Sequence, residues 1–345
     1  VVDHSATVAT SLDTGTRHRD IEDCVSGSHR RDVQALLADG SAGIFPMSGF
    51  VSRTQSGAAV VMALLVVAFA ALLVSGTFQR QSVMARTVEN HAAAAQTYWL
   101  MAGAVDWVRV ILREDARASA TDHLAEPWAV PLEQTRLNDD ERDPAWLDGV
   151  VKDGQAGFNL RNLVGENGPL LTEIAVLERL LSVAGLNEML AEPLAQAIDG
   201  ELSLRSTDNR IVPANIDEFT FTDQKLQAAL VGLRPFVTIL PVTTPVNVNT
   251  ATAEVIAARF ENVSLVDARR LVASRDRAAF KDLTDVLTRL PDLRPSASAG
   301  QVAVTSRFFI LEGAIEFRRA RLHQRALLRR DQGRVEIVWK SEVRA

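Results

Sequence analysis

The sequence holds a single cysteine, Cys24, among 345 residues. An internal disulfide needs two thiols and a structural zinc site needs several thiolate or imidazole ligands, so neither supports the fold through cysteine. An excess of positive charge is lacking as well. The chain carries 37 Lys+Arg against 43 Asp+Glu, a formal net charge of -6, which excludes wholesale coating by nucleic acid or anionic lipid because both call for a basic balance. Catalytic signatures are missing too: no HExxH, GxSxG or GxxxxGK[ST] occurs, and beyond Gly57 the histidines are His91, His123 and His323. The carboxylates have no partner pattern, so the chain reads as a non-enzyme, with His123 orienting a loop by hydrogen bonding rather than shuttling protons. What is present is bulk, since 47% hydrophobic residues suffice for a buried core and for two or three domains.

From Gly57 to Phe78 the chain has no charge at all, in GAAVVMALLVVAFAALLVSGTF. At about 1.5 Å per residue this run crosses roughly 30 Å of hydrocarbon as a helix, so it predicts a membrane anchor. A secretory signal would have a shorter apolar core followed by a small-residue cleavage site. Here the small residues Ser56-Gly57-Ala58 precede the run. Arg53 before it and Arg80 and Arg86 after it leave its orientation undecided by charge. Residues 1 to 52, with His4, His18, His29 and Cys24, show no sustained apolar period, and no fold is read there. Met47 is a candidate for the true start, which would make residues 47 to 57 a short leader.

Proline is absent from Ala58 to Glu126, so the helix is expected to continue to about Arg117, with Gly76 and Gly103 as its possible bends. Its outer half carries one apolar stripe, Ala94, Tyr98, Met101, Val105, Val108 and Leu112, at spacings of four and three. At the other end of the chain, Phe309, Leu311, Ile315 and Phe317 alternate around Gly313. A second run sets Ala320, Leu322, Ala326 and Leu328 against Arg319, Arg321, His323 and Arg325, and Asp331-Gln332-Gly333 turns into Val335, Ile337 and Trp339. This predicts a three-stranded antiparallel meander lidded by the helical stripe, with the arginines on its solvated face.

Between helix and sheet the period is helical. Thr172 to Ile198 breaks at Gly185, a polar stretch covers Gly200 to Asn209, and Pro245 to Leu290 offers three more helices, the first capped by Asn249 or Thr250. VNVNTATAEVIAARF resembles the opening of helix-hairpin-helix modules of DNA-repair and DNA-uptake proteins. The DNA-binding form needs a glycine-bearing hairpin that approaches a phosphate. Phe260 to Leu265 has no glycine and places Glu261 there, so the module reads as a helical scaffold and nucleic acid as an unlikely partner. A membrane-anchored DNA-uptake protein stays the second reading.

Taken in order, several stretches resemble one family, the type II secretion system protein K, a minor pseudopilin. They are Arg53 to Gly57 before the apolar run, LREDAR at Leu112, DHLAEPWA at Asp122, GFNLRNL at Gly157, RPFVTILP at Arg234, PVNVNTA at Pro245 and SRFFILEG at Ser306. The resemblance covers residues 53 to 345 and departs from the family between Gly200 and Phe221. It implies an α+β, type IV pilin-like fold: a long N-terminal helix, half transmembrane, packed on an antiparallel sheet, with a large all-α insertion. The expected boundaries are 1–57 for preface and leader, 58–78 for the span, 79–165 for the rest of the helix and the first part of the pilin-like domain, 166–298 for the insertion, and 299–345 for the closing strands.

The resemblance also implies a site. A prepilin peptidase would cut after Gly57, leaving Ala58 as a methylated N-terminus, and Met62 would stand at the fifth position where most pilin-like subunits carry Glu. Implied partners are the I-type and J-type minor pseudopilins, the major pseudopilin and the inner membrane, with the N-terminus cytoplasmic and the bulk of the chain periplasmic. No cofactor is required. Calcium (Ca2+) is implied in the globular part, and the acidic run Asp139, Asp140, Glu141, Asp143, Asp148 and Asp153 could supply oxygen ligands without a spacing that selects among them.

Overall fold

The computed structural model describes residues 56–207, 215–289 and 301–343. The preface, Met47, Cys24, Arg53 and most of the expected leader lie outside the described residues. By its internal contacts the chain falls into two units, Val1–Val67 and Ala68–Ala345, and each is described by itself.

One helix, α1 (Ser56–Ala118), runs through the boundary between the units and remains a single helix across Gly76 and Gly103. In the first unit, its residues 57–67 are all exposed although nearly all are apolar. In the second unit exposure continues to Ala92, and from Ala93 a buried row begins: Ala93, Thr97, Met101, Val105, Val108, Leu112 and Asp115. The stripe expected from the sequence is right from Met101 onward and one residue off before it. Ala94 and Tyr98 are exposed, because the spacing of four is held back to Thr97 and Ala93. Thr97 tolerates burial by donating its hydroxyl to the Ala93 carbonyl at 2.8 Å, while the Tyr98 ring stays outside, edge-on to Trp99.

The lid of that row is a five-stranded sheet rather than the three-stranded meander expected. The strands β1 (Leu132–Arg136) and β2 (Ala145–Asp153) form an antiparallel pair. Two residues each of β3 (Phe158–Asn159) and β4 (Val237–Thr238) pair in parallel, as do β5 (Val246–Asn247) and β6 (Val302–Ala303). The sheet is completed by β7 (Phe308–Phe317), β8 (Ala320–Asp331) and β9 (Arg334–Glu342), in the order β1-β2-β7-β8-β9, antiparallel throughout. Strands β2 and β7 are neighbours although β2 ends at Asp153 and β7 starts at Phe308.

One face of the sheet packs under α1. Leu112, Val108 and Val105 meet Phe309, Leu311, Ala326 and Leu328, and Met101 meets Leu147 and Ile315. On the other face Phe308, Ile310 and Leu327 close with Leu240. Both faces of β7 are therefore buried at its start, which its unbroken Phe308-Phe309-Ile310-Leu311 run reflects. The arginine row is only partly solvated: Arg319 and Arg321 are exposed, His323 and Arg325 half-buried.

The chain between β2 and β7 is mainly helical. It contains α2 (Leu171–Val183), α3 (Ala191–Thr207), α4 (Gln224–Leu233), α5 (Ala253–Arg259), α6 (Leu265–Arg277) and α7 (Leu283–Arg289). The break at Gly185 is where the sequence places it, with φ at +72° after the end of α2. The cap of α5 is not Asn249 or Thr250. Thr252 holds that place, its hydroxyl accepting from the Val255 amide, because the side chains of Asn249 and Thr250 are bound elsewhere. Asn262, with φ at +64°, takes the left-handed turn between α5 and α6 where no glycine is available.

Candidate functional site

Two places hold the residues singled out by the sequence. The first is the start of α1, where Gly57 and Ala58 are exposed and Met62 is 68% exposed among Val60, Val61, Leu64 and Leu65, all exposed too. An all-round apolar helix leaves no stripe to bury and calls for a lipid or protein surround. This helix is long and apolar enough to cross a membrane, and it fits a single-pass anchor.

The second place is a buried polar junction where α1, the DHLAEPWA loop, the PVNVNTA segment and the strands converge. Arg330 of β8 reaches across to the end of α1. Its guanidinium donates to the Leu112 carbonyl at 3.2 Å and to Asp115 at 2.9 Å, to Asp122, and to the Ser306 carbonyl at 3.1 Å. It also lies over the Phe309 ring. Asp122 accepts from the Ser306 amide at 2.6 Å, and Glu126 accepts from the His123 amide at 3.0 Å and the Trp128 indole at 2.8 Å. Burial first, and then the Glu126 charge, push the Asp115 carboxyl up from 3.8 to about 6.

Next to it, Asp153 at the end of β2 is saturated. It accepts from Asn247 at 2.9 Å, from Thr250 at 2.6 Å, from Ser306 at 2.6 Å and from the Gln155 amide at 2.7 Å. Burial raises its pKa against these four donors. Asn247 further donates to the Asp122 carbonyl at 3.1 Å, while Asn249 holds Phe280 by both backbone groups, at 2.9 and 2.8 Å. The segment that resembles a helix-hairpin-helix opening thus spends its polar side chains inside the protein, tying the sheet to the helical part. Such a buried and hydrogen-bonded network positions elements.

The acidic run behaves as separate residues. Asp139, Asp140 and Glu141 are exposed on the β1–β2 connection, Asp143 pairs with Arg318, and Asp148 caps the Gln134 amide. Among the described residues, the carboxylates that do gather are Asp115, Asp122 and Glu126, all buried. Glu126 Oε1 has no hydrogen-bond partner and stands 3.6 Å from the His123 imidazole, while Arg330 pairs with Asp115 and Asp122; three carboxylates within 4.8 Å of one another have the donor chemistry a divalent ion takes. The sequence places Asp122, Asn247 and Ser306 inside motifs without assigning them a role, and Arg330 lies in none of those motifs. The hydrogen-bond partners of the Arg330 and Ser306 side chains lie between 24 and 218 residues away along the chain, beyond any local pattern.

Comparisons with known proteins all point to one family. The family model described as type II secretion system (T2SS), protein K, matches residues 246–305, the stretch containing Asn247, Asn249 and Thr250. Type II secretion system protein K of Pseudomonas aeruginosa is 28% identical over 282 residues, 74% of this chain and 83% of the relative. The chain is similar to type II secretion system protein K along most of its length. The K protein of Klebsiella pneumoniae is also 28% identical, over 82% of this chain and 95% of its own length. In fold, the chain resembles a chain of the GspK-GspI-GspJ complex from the enterotoxigenic Escherichia coli type 2 secretion system, with a TM-score of 0.60 at 20% identity over 75% of this chain and 99% of that one. The mixed architecture of long N-terminal helix and antiparallel sheet is thereby common to both.

Proposed function

We propose that this chain is a minor pseudopilin of the type II secretion system that caps the tip of the periplasmic pseudopilus and supports protein export. The observation that carries the reading is the joining of an exposed apolar helix to a helix-on-sheet body with a large helical insertion, in a chain homologous to K proteins along most of their length. A filament repeats one subunit at fixed spacing, and an insertion the size of a domain clashes with a subunit stacked above it, so the end position suits this chain. Met62 agrees with that place. A subunit without a carboxylate at the fifth position has nothing to offer the N-terminal amine of a neighbour ahead of it. The relative in the solved complex is assembled with GspI and GspJ, and the I-type and J-type minor pseudopilins are the partners proposed here.

The anchor is placed in the inner membrane, N-terminus cytoplasmic and body periplasmic, with Gly57 the residue before the peptidase cut and Ala58 the methylated mature end. The fold is of the type IV pilin class with a helix-hairpin-helix-like scaffold around α5 and α6. Calcium finds its fitting donors at Asp115, Asp122 and Glu126 rather than in the acidic run, and chelation is expected to lower the melting temperature by a few degrees, read by calorimetry. The test of processing is mass spectrometry of the mature protein from cells with the peptidase: a chain starting at N-methylated Ala58 supports the reading, and an intact Gly57–Ala58 bond opposes it.

A further inference from the structure

Two glycines face each other in the middle of the sheet. Gly149 of β2 and Gly313 of β7 are register partners, and both stand in the row that faces α1. A Cβ on Gly313 would meet Met101 at 3.6 Å, and one on Gly149 would meet Leu147 at 4.0 Å. Above them α1 presents Ala104 between Met101 and Val108. One small side chain on the helix, Ala104, and no side chain at the two sheet glycines leave a gap between the layers.

The gap is a cavity of about 380 Å³. Its walls are Met101, Val108, Ile111, Trp128, Leu147 and Leu311, with the glycine pair as its floor. From Met101 to Ile111 it follows α1 for about 15 Å. Protein interiors do not leave space of this size idle, because unfilled walls forfeit dispersion contacts, and an apolar cavity of about 150 Å³ already takes benzene. The mouth is open: Trp107 and Val130, 50% and 60% exposed, stand at it.

The polar groups of Trp128, the floor and the helix wall are spent. The Trp128 indole N–H donates to Glu126, the floor backbone belongs to the β2–β7 ladder, and the α1 backbone is bonded within the helix. Among the described residues, none that is charged lines the cavity. We infer that this cavity binds an uncharged alkyl or aryl molecule, held by contact and burial alone. The ligand is elongated, enters past Trp107 and Val130, and leaves any polar end in water. The inference goes beyond the pseudopilin reading and does not depend on it.

The test uses the full chain in lipid nanodiscs with a diazirine-bearing decane, and maps labelled peptides by mass spectrometry. Lipid-facing residues 58–78 serve as the internal positive control. The expected result is labelling of peptides containing Trp107, Leu147 and Leu311, reduced at least ten-fold by excess unlabelled decane. Ala104→Leu, which fills the cavity from the helix, and Gly313→Val, which fills it from the sheet, are each expected to abolish this labelling and leave that of the span unchanged. Cavity peptides that stay unlabelled beside a labelled span would overturn the inference. So would labelling that decane does not compete, a readout that needs no variant to fold, or that persists in both filled proteins.

Discussion

The sheet body and the helical insertion bury their apolar residues in different ways. In the insertion, α2 to α7 share one continuous core that runs through Leu177, Leu194 and Leu230 to Phe280 and Val286. In the body, the space between α1 and the sheet divides into successive smaller clusters around Leu112, Met101 and Ala93. A helix lying on a sheet contributes a single row, so each of its side chains stands nearly alone against the strand beneath it. A core of several short helices surrounds its residues on all sides. Each region also sets an arginine against carboxylates: Arg330 is answered by Asp115 and Asp122 in the body, and Arg259 by Glu173 in the insertion, at 2.9 Å.

Removing one partner from such a pair strands the other's charge. Arg330→Met leaves two buried carboxylates unpaired, and Glu173→Ala leaves a buried guanidinium; each is expected to cost about 3–5 kcal/mol, measured by chemical denaturation of the full chain. The comparison sharpens if the first loosens α1 from the sheet while the second leaves it in place, which hydrogen exchange of residues 97–115 reports. Both pairs then act within their own region.

A smaller effect separates the two cores. Leu112→Ala and Leu177→Ala each remove a fully buried side chain and are expected to cost about 2–5 kcal/mol. The loss at Leu112 should be the larger of the two, because a helix held on a sheet relaxes into the gap less readily than short helices do. Equal losses would break the contrast between a single row and a surrounded core.

The smallest effect is a pH slope confined to the body. Burial raises the Asp115 carboxyl from 3.8 to about 6, so the folded protein binds that proton more tightly than the unfolded chain. Its contribution to stability is therefore full below about pH 4 and is lost as pH rises through 6, at up to about 1.4 kcal/mol per pH unit. Denaturation in chelator across pH 4 to 7 is expected to show this fall in the parent and a flatter profile in Asp115→Asn.

What the sequence made legible follows the range of the forces involved. The stripe from Met101 to Leu112 and the strands around Gly313 are local periodicities and stand where they were read. Thr97 was passed over because a buried threonine satisfied by its own helix has no apolar signature. The strands β1 and β2 escaped notice because β1 is a polar edge and β2 carries Gly149 at its centre and ends on Asp153. Its partner β7 lies beyond the whole insertion. Asn249 and Thr250 had the chemistry of helix caps, yet tertiary hydrogen bonds to Phe280 and Asp153 claimed them. The reading of Gly57 to Met62 rests on composition and resemblance alone, because the exposed start of α1 has no partner side chain among the described residues to report on it.

The central claim is that this body and its helix act as the end piece of a filament of related subunits. Co-expression of the full chain with the I-type and J-type minor pseudopilins of its own system, followed by native mass spectrometry in detergent, tests it most directly. The account predicts one complex containing a single copy of each. A chain that stays alone while the other two pair with each other would contradict it.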